Sequence, residues 1–152
     1  MDAHVFRFRL ERVRAVRERK ETIAKQELAS AISRRSSTEA ELKAVDAHLE
    51  QAHVEQRTIC AAAGAVSAAE LQARQAFLER VEEQRRFHAG ELQRREAEVI
   101  DSDAKLVTAA SEHEMLNRLR ERHRGEHDRE AARLEQGALD EMAVVRFRRS
   151  HA

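Results

Sequence analysis

Apolar residues recur along the chain at alternating steps of three and four. Leu42, Val45, Leu49, Ala52, Gln56, Ile59, Ala63 and Val66 trace one such stripe. On a helix of 3.6 residues per turn these positions share a narrow face, the pattern of a coiled-coil seam. Upstream, Phe6, Leu10 and Val13 begin a similar stripe. It weakens through Arg17 and Lys20 and drifts by Ala24 and Leu28, which predicts a stutter between two registers. Further along, Leu71, Leu78, Leu92, Val99 and Leu106 share one heptad position. Val81, Ala109 and Leu116 fall on the other, with the polar His88, Arg95 and Ser102 between them.

Between the two stripes lies a break. Gly64 offers the left-handed conformation that ends many helices. Three residues later, Ser67 and Glu70 have the spacing of a capping box, in which each side chain satisfies a backbone N–H of the first turn. A stop signal followed so closely by a start signal predicts two helices joined by a tight turn. The expected order is a first helix over about residues 4–62, a turn at about 63–67 and a second helix over about 68–149. The fold class is therefore all-α, an antiparallel coiled-coil hairpin filling residues 1–152 as a single unit, with the second helix longer.

The unequal arms have a consequence. At 1.5 Å per residue the helices reach about 87 and about 120 Å. The start of the chain then lies opposite the mid-120s, and everything after about residue 127 overhangs. An isolated helix is marginal in water, and Gly125 and Gly137 weaken this one further. Yet Leu134, Leu139, Met142, Val144, Val145 and Phe147 lie in it. Apolar side chains on an unpaired helix call for a partner to cover them.

Composition narrows the picture. Of the 41% apolar residues 27 are Ala, aromatics are 3%, and Pro is absent, so bulky layers for a globular core are missing. Charged residues are 37% and cancel at 28 basic and 28 acidic, which removes any global pull toward nucleic acid or an anionic membrane. The charge is nevertheless uneven: Arg7, Arg9, Arg12, Arg14, Arg17, Arg19 and Lys20 gather at the start, and Arg146, Arg148 and Arg149 at the end. The single Cys60 cannot form an internal disulfide and suits a reducing compartment. The apolar run from Ile59 to Val66 is far too short to span a bilayer, and the opening residues lack the apolar core of a signal peptide. A cytoplasmic protein without direct membrane insertion is expected.

Three motifs invite chemistry that the pattern does not support. His123-Arg124-Gly125-Glu126-His127 matches the inverted zinc-protease signature, but no third ligand or cleft accompanies it on an exposed helix. Ser102-Asp103-Ala104-Lys105 matches S-x-x-K without the companion elements of a serine acylase. The basic N-terminal segment lacks Asn, alternates Arg with apolar residues and leads into a hairpin where a zipper should continue, which argues against nucleic acid. Four scattered glycines form no phosphate-binding loop. No catalytic residue, metal site or cofactor is expected.

The two ends carry a more specific signal. Phe6-Arg7-Phe8-Arg9-Leu10-Glu11-Arg12-Val13 is similar to the F-x-F-x-L-E-x-V opening of the flagellar export protein FliJ family. Leu139-Asp140-Glu141-Met142-Ala143-Val144-Val145-Arg146-Phe147 is similar to that family's L-D-E-x-A-x-x-R-F/Y ending. The resemblance spans the chain. It implies a stalk-like coiled coil of the bacterial flagellar type III export apparatus, located in the cytoplasm and peripheral to the inner membrane at the flagellar base. It implies contact with the hexameric export ATPase through Phe6, Leu10, Val13, Met142, Val145 and Phe147. It further implies contact with the membrane export gate protein through Val45, His48, Phe77, Val81, Gln84 and His88, and with export chaperones. A monomer is expected. The alternatives are an injectisome stalk of the same architecture and a generic coiled-coil scaffold, which would form a parallel dimer.

Overall fold

The computed structural model describes residues 5–62, 64 and 66–150. Two helices account for nearly all of them: α1, Glu11–Ala61, and α2, Ala68–Ser150, the longer of the two. They pack against each other antiparallel, and the chain divides into two units. One comprises Ile23–Leu106 and contains the turn; the other joins Met1–Thr22 to Val107–Ala152.

In the Ile23–Leu106 unit, ion pairs mark the register: Arg34 with Glu98 at 3.5 Å, Arg35 with Glu96 at 3.6 Å, and Asp46 with Arg85 at 2.5 Å. Each step forward on α1 is a step back on α2, as antiparallel pairing requires. These pairs are largely solvated, so each contributes at most about 1 kcal/mol. The burial lies along the seam itself, on Ala24, Ala31, Thr38 and Ala52 of α1 and Leu78 and Val81 of α2. Ala31 is 0% exposed and Val81 only 3%. Small residues at these sites let the helix axes approach closely.

The expected stutter does not occur. Along α1 one heptad position runs unbroken through Arg14, Glu21, Leu28, Arg35, Leu42, Leu49 and Gln56. The other runs through Arg17, Ala24, Ala31, Thr38, Val45, Ala52 and Ile59, and every residue of both sets is buried or half-buried. Leu10, one heptad before Arg17 but ahead of the first residue of α1, is exposed, and Val13 is exposed and off the stripe. The drift in hydrophobicity arose because the N-terminal half of the seam is built from Ala, Thr and long charged side chains. Along α2 the anticipated positions from Leu78 to Leu116 do face inward, while Leu71, in the first turn, is exposed.

The turn departs from its expected chemistry on one side. Ala63 and Ala65, members of the expected stripe and turn, lie outside the described residues. Gly64 does not take a positive φ; its N–H instead donates to the Ala62 carbonyl at 2.8 Å, just after Ala62 N–H donates to Thr58. The start of α2 is the expected capping box. Ser67 N–H donates to the Glu70 carboxylate at 3.0 Å, and Glu70 N–H donates to the Ser67 hydroxyl at 3.2 Å.

In the other unit, α1 begins at Glu11 rather than near residue 4, which itself lies outside the described residues. Residues 5–8 are not helical, and Glu11 N–H donates to the Phe8 carbonyl at 3.1 Å to open the helix. Exposure alternates along this segment: Val5, Arg7 and Arg9 are exposed, Phe6 and Phe8 half-buried. Period-two alternation belongs to an extended chain, where both Phe rings point the same way; on a helix they would diverge. Past the last of these contacts α2 continues, with every residue from 128 to 150 exposed. The length difference between the arms thus produces the expected overhang.

Candidate protein-binding surfaces

The six residues expected at the open end do not form one face. Phe6 lies edge-on against His127, with ring centroids 5.7 Å apart. Leu10 and Val13 lie at the beginning of α1, partly exposed. Met142, Val145 and Phe147 are exposed on the overhang, Phe147 at 64%. At 1.5 Å per residue, Phe147 stands about 30 Å along the helix from His127. There are therefore two patches: one at the N-terminal segment and one toward the end of α2.

The N-terminal patch is held by side chains that the sequence offered for a different purpose. His123 takes the ring of Phe8 at 5.9 Å and His127 that of Phe6. Glu11 pairs with Arg120 at 3.9 Å, and Arg17 pairs with Glu112. One turn on, His113 Nδ1 lies 2.6 Å from the Glu21 carboxylate, and both side chains are largely enclosed. The Arg14 guanidinium donates to Glu11 and holds its carboxyl below the usual carboxylate range. Among the described residues no group of three or more His, Cys, Asp or Glu side chains is placed to hold a metal ion. Cys60 is exposed.

The distal patch has an apolar stripe of its own. Leu134, Met142 and Val145 are spaced to share a side of the helix, with Ala131 before them and Ala138 between. Asp140, Glu141, Val144 and Val145 border an open apolar hollow. Arg146, Arg148 and Arg149 follow.

The second expected surface lies wholly in the Ile23–Leu106 unit. His48 and Phe77 meet edge-on at 5.7 Å, joining the two helices. Val45 is half-buried in the seam and Val81 buried beneath it, while Gln84 is exposed. His88 Nδ1 lies 3.4 Å from Glu41. Beside this pair is a shallow cleft of about 310 Å³ lined by Arg34, Ser37, Thr38, Glu41, Phe87, His88, Glu91 and Arg95. Phe87, 60% exposed and edge-on to His88, is a surface aromatic that the seam pattern passed over. Its signal was available: a Phe on the outer side of a helix whose seam residues are already assigned.

The turn end is expected to respond to acid. Hydrogen bonding from the Ser67 backbone N–H, then from its hydroxyl, holds the Glu70 carboxyl below the usual carboxylate range. A carboxyl lowered in the folded state contributes stability that is complete above its unfolded value and lost as pH falls through the folded value. The protection of the Glu70 amide against hydrogen exchange, corrected for the intrinsic rate, is expected to hold steady from pH 7 to about 5 and to fall below about pH 4. Glu70→Gln is expected to flatten that dependence.

A family model described as "Flagellar FliJ protein" matches residues 6–152. No curated protein and no solved structure matches the chain.

Proposed function

Because the chain belongs to the flagellar FliJ protein family, a non-catalytic structural component of the flagellar export apparatus, we propose that it couples the apparatus's hexameric ATPase to its membrane export gate and to export chaperones. The observation that carries this reading is the apolar-studded end of α2, where every residue from 128 to 150 is exposed. Met142, Val145 and Phe147 form the distal part of the ATPase contact, with the basic run after them attracted to acidic or polar groups in the ring. Phe6, Leu10 and Val13 form the proximal part. The export gate meets the helix pair around His48, Phe77, Gln84 and His88, with Val45 and Val81 holding the seam beneath. No helix of the described residues is long and apolar enough to cross a membrane. In this reading the chain works as a monomer from the cytoplasm, at the inner membrane beneath the flagellum. It performs no chemistry: any coupling comes from differential contacts that bias its partners' states.

The test is co-purification with the export ATPase. Phe6→Ala combined with Phe147→Ala is expected to weaken the complex at least about tenfold, the effect of losing roughly 1.4 kcal/mol of contact. Helicity by circular dichroism should be unchanged. Wild-type affinity in the double variant would count against this assignment.

A further inference from the structure

The sequence Phe-x-Phe at residues 6–8 and the sequence His-x-x-x-His at residues 123–127 fit each other in a way that neither requires alone. Two residues of extended chain advance about 6.6 Å. Four residues of α-helix advance about 6 Å. An extended segment lying antiparallel along α2 therefore brings Phe6 to His127 and Phe8 to His123 in register, and both pairs meet edge-on, at interplanar angles of 60° and 66°. The alternation of exposure through Val5, Phe6, Arg7, Phe8 and Arg9 follows from the same geometry. The match also explains why α1 does not start earlier. Winding residues 5–8 into the helix would turn one ring away from α2.

The attachment is light. Among the described residues, no hydrogen bond or ion pair joins residues 5–10 to α2; the first is that of Glu11 with Arg120, where α1 has already begun. Exposed backbone and few enclosed contacts mark a segment that opens locally, without unfolding the rest. We propose that residues 5–10 form a releasable strap, an autoinhibitory contact in which the chain's own Phe6 and Phe8 occupy the face of α2 at His123 and His127. Release of the strap makes Phe6 available to a partner. The first half stands on the geometry alone; the second rests on the reading of Phe6 as part of the ATPase contact.

Limited digestion of the full chain with trypsin tests the strap, with cleavage after Arg7 and Arg9 followed by mass spectrometry. A docked strap is a poor substrate because the protease needs several residues of free extended chain. His123→Ala with His127→Ala is expected to speed these cleavages about tenfold, the population shift that follows from losing two aromatic contacts. His123→Phe with His127→Phe should restore slow cleavage, since any aromatic ring can accept the edge-to-face contact. Equal rates in wild type and the alanine variant would overturn the strap. Acceleration spread equally over Arg12, Arg14 and Arg17 would overturn it too, by showing fraying of α1 rather than release. Binding to the export ATPase then separates the two halves. The alanine variant should bind more tightly than wild type. If binding depends on Phe6 but does not change on release, the autoinhibitory role is wrong. If binding is indifferent to Phe6 itself, the ATPase reading fails, and the strap is judged on proteolysis alone.

Discussion

Replacing Ala31 with Glu is expected to be the most damaging single substitution in the chain. Ala31 is 0% exposed and sits in the middle of the α1 seam, between Ala24 and Thr38. The two helices approach there because the side chain is a methyl group. A glutamate adds volume to a site with none to spare and brings a carboxylate that must either stay charged out of water or push the helices apart. An uncompensated buried charge costs on the order of 3–5 kcal/mol. A folded domain is stable by only about 5–15 kcal/mol, and a chain with so narrow a seam has little reserve. The melting temperature by circular dichroism should fall by about 10 °C, at about 2–4 °C for each kcal/mol in a chain of this size. Ala29→Glu, two residues away and exposed, is the control and should stay within about 0.5 kcal/mol of wild type. Similar melting of the two variants would mean that Ala31 is not in a close-packed seam.

Ending the chain after His127 is expected to separate folding from function. Residues 128–150 are helical and all exposed, so their removal uncovers no packed surface. The truncated protein should lose helical signal roughly in proportion to the residues removed and melt within about 1 kcal/mol of the full chain. Its binding to the export ATPase should fall below detection, because Met142, Val145 and Phe147 go with the deleted segment. A truncated chain that binds like the full one would place the contact at the N-terminal patch alone. A truncated chain that unfolds would show that the overhang supports the hairpin in a way its exposure does not suggest.

Different parts of the molecule were legible for different reasons. Leu42, Leu49 and Ile59 announce their half of the α1 seam because bulky apolar residues on a 3.6-residue period have no other good use on a helix. The half from Arg14 to Thr38 keeps the same register, although the weakening through Arg17 and Lys20 and the drift by Ala24 and Leu28 predict a stutter. Its positions carry Ala, Thr, Arg and Glu, residues equally at home on a solvated face, and only the facing helix distinguishes the two. The His pair illustrates the same limit. At a spacing of four, His123 and His127 share a helical face and suggest a metal; what lies against them is the Phe pair from the other end of the chain.

The sequence by itself determined that there are two helices, where the turn falls, that the second is capped by Ser67 and Glu70, and that it outruns the first. These depend on local chemistry: periodicity, side-chain reach to the nearest N–H groups, and length multiplied by a fixed rise. Tertiary structure alone decided that the α1 register is continuous, that residues 5–8 leave the helix to lie along α2, and that the open-end residues split into two patches. Each of those depends on which surface arrives opposite. A single helix, seen alone, carries no record of whether an alanine or an arginine on its flank will meet water or another helix.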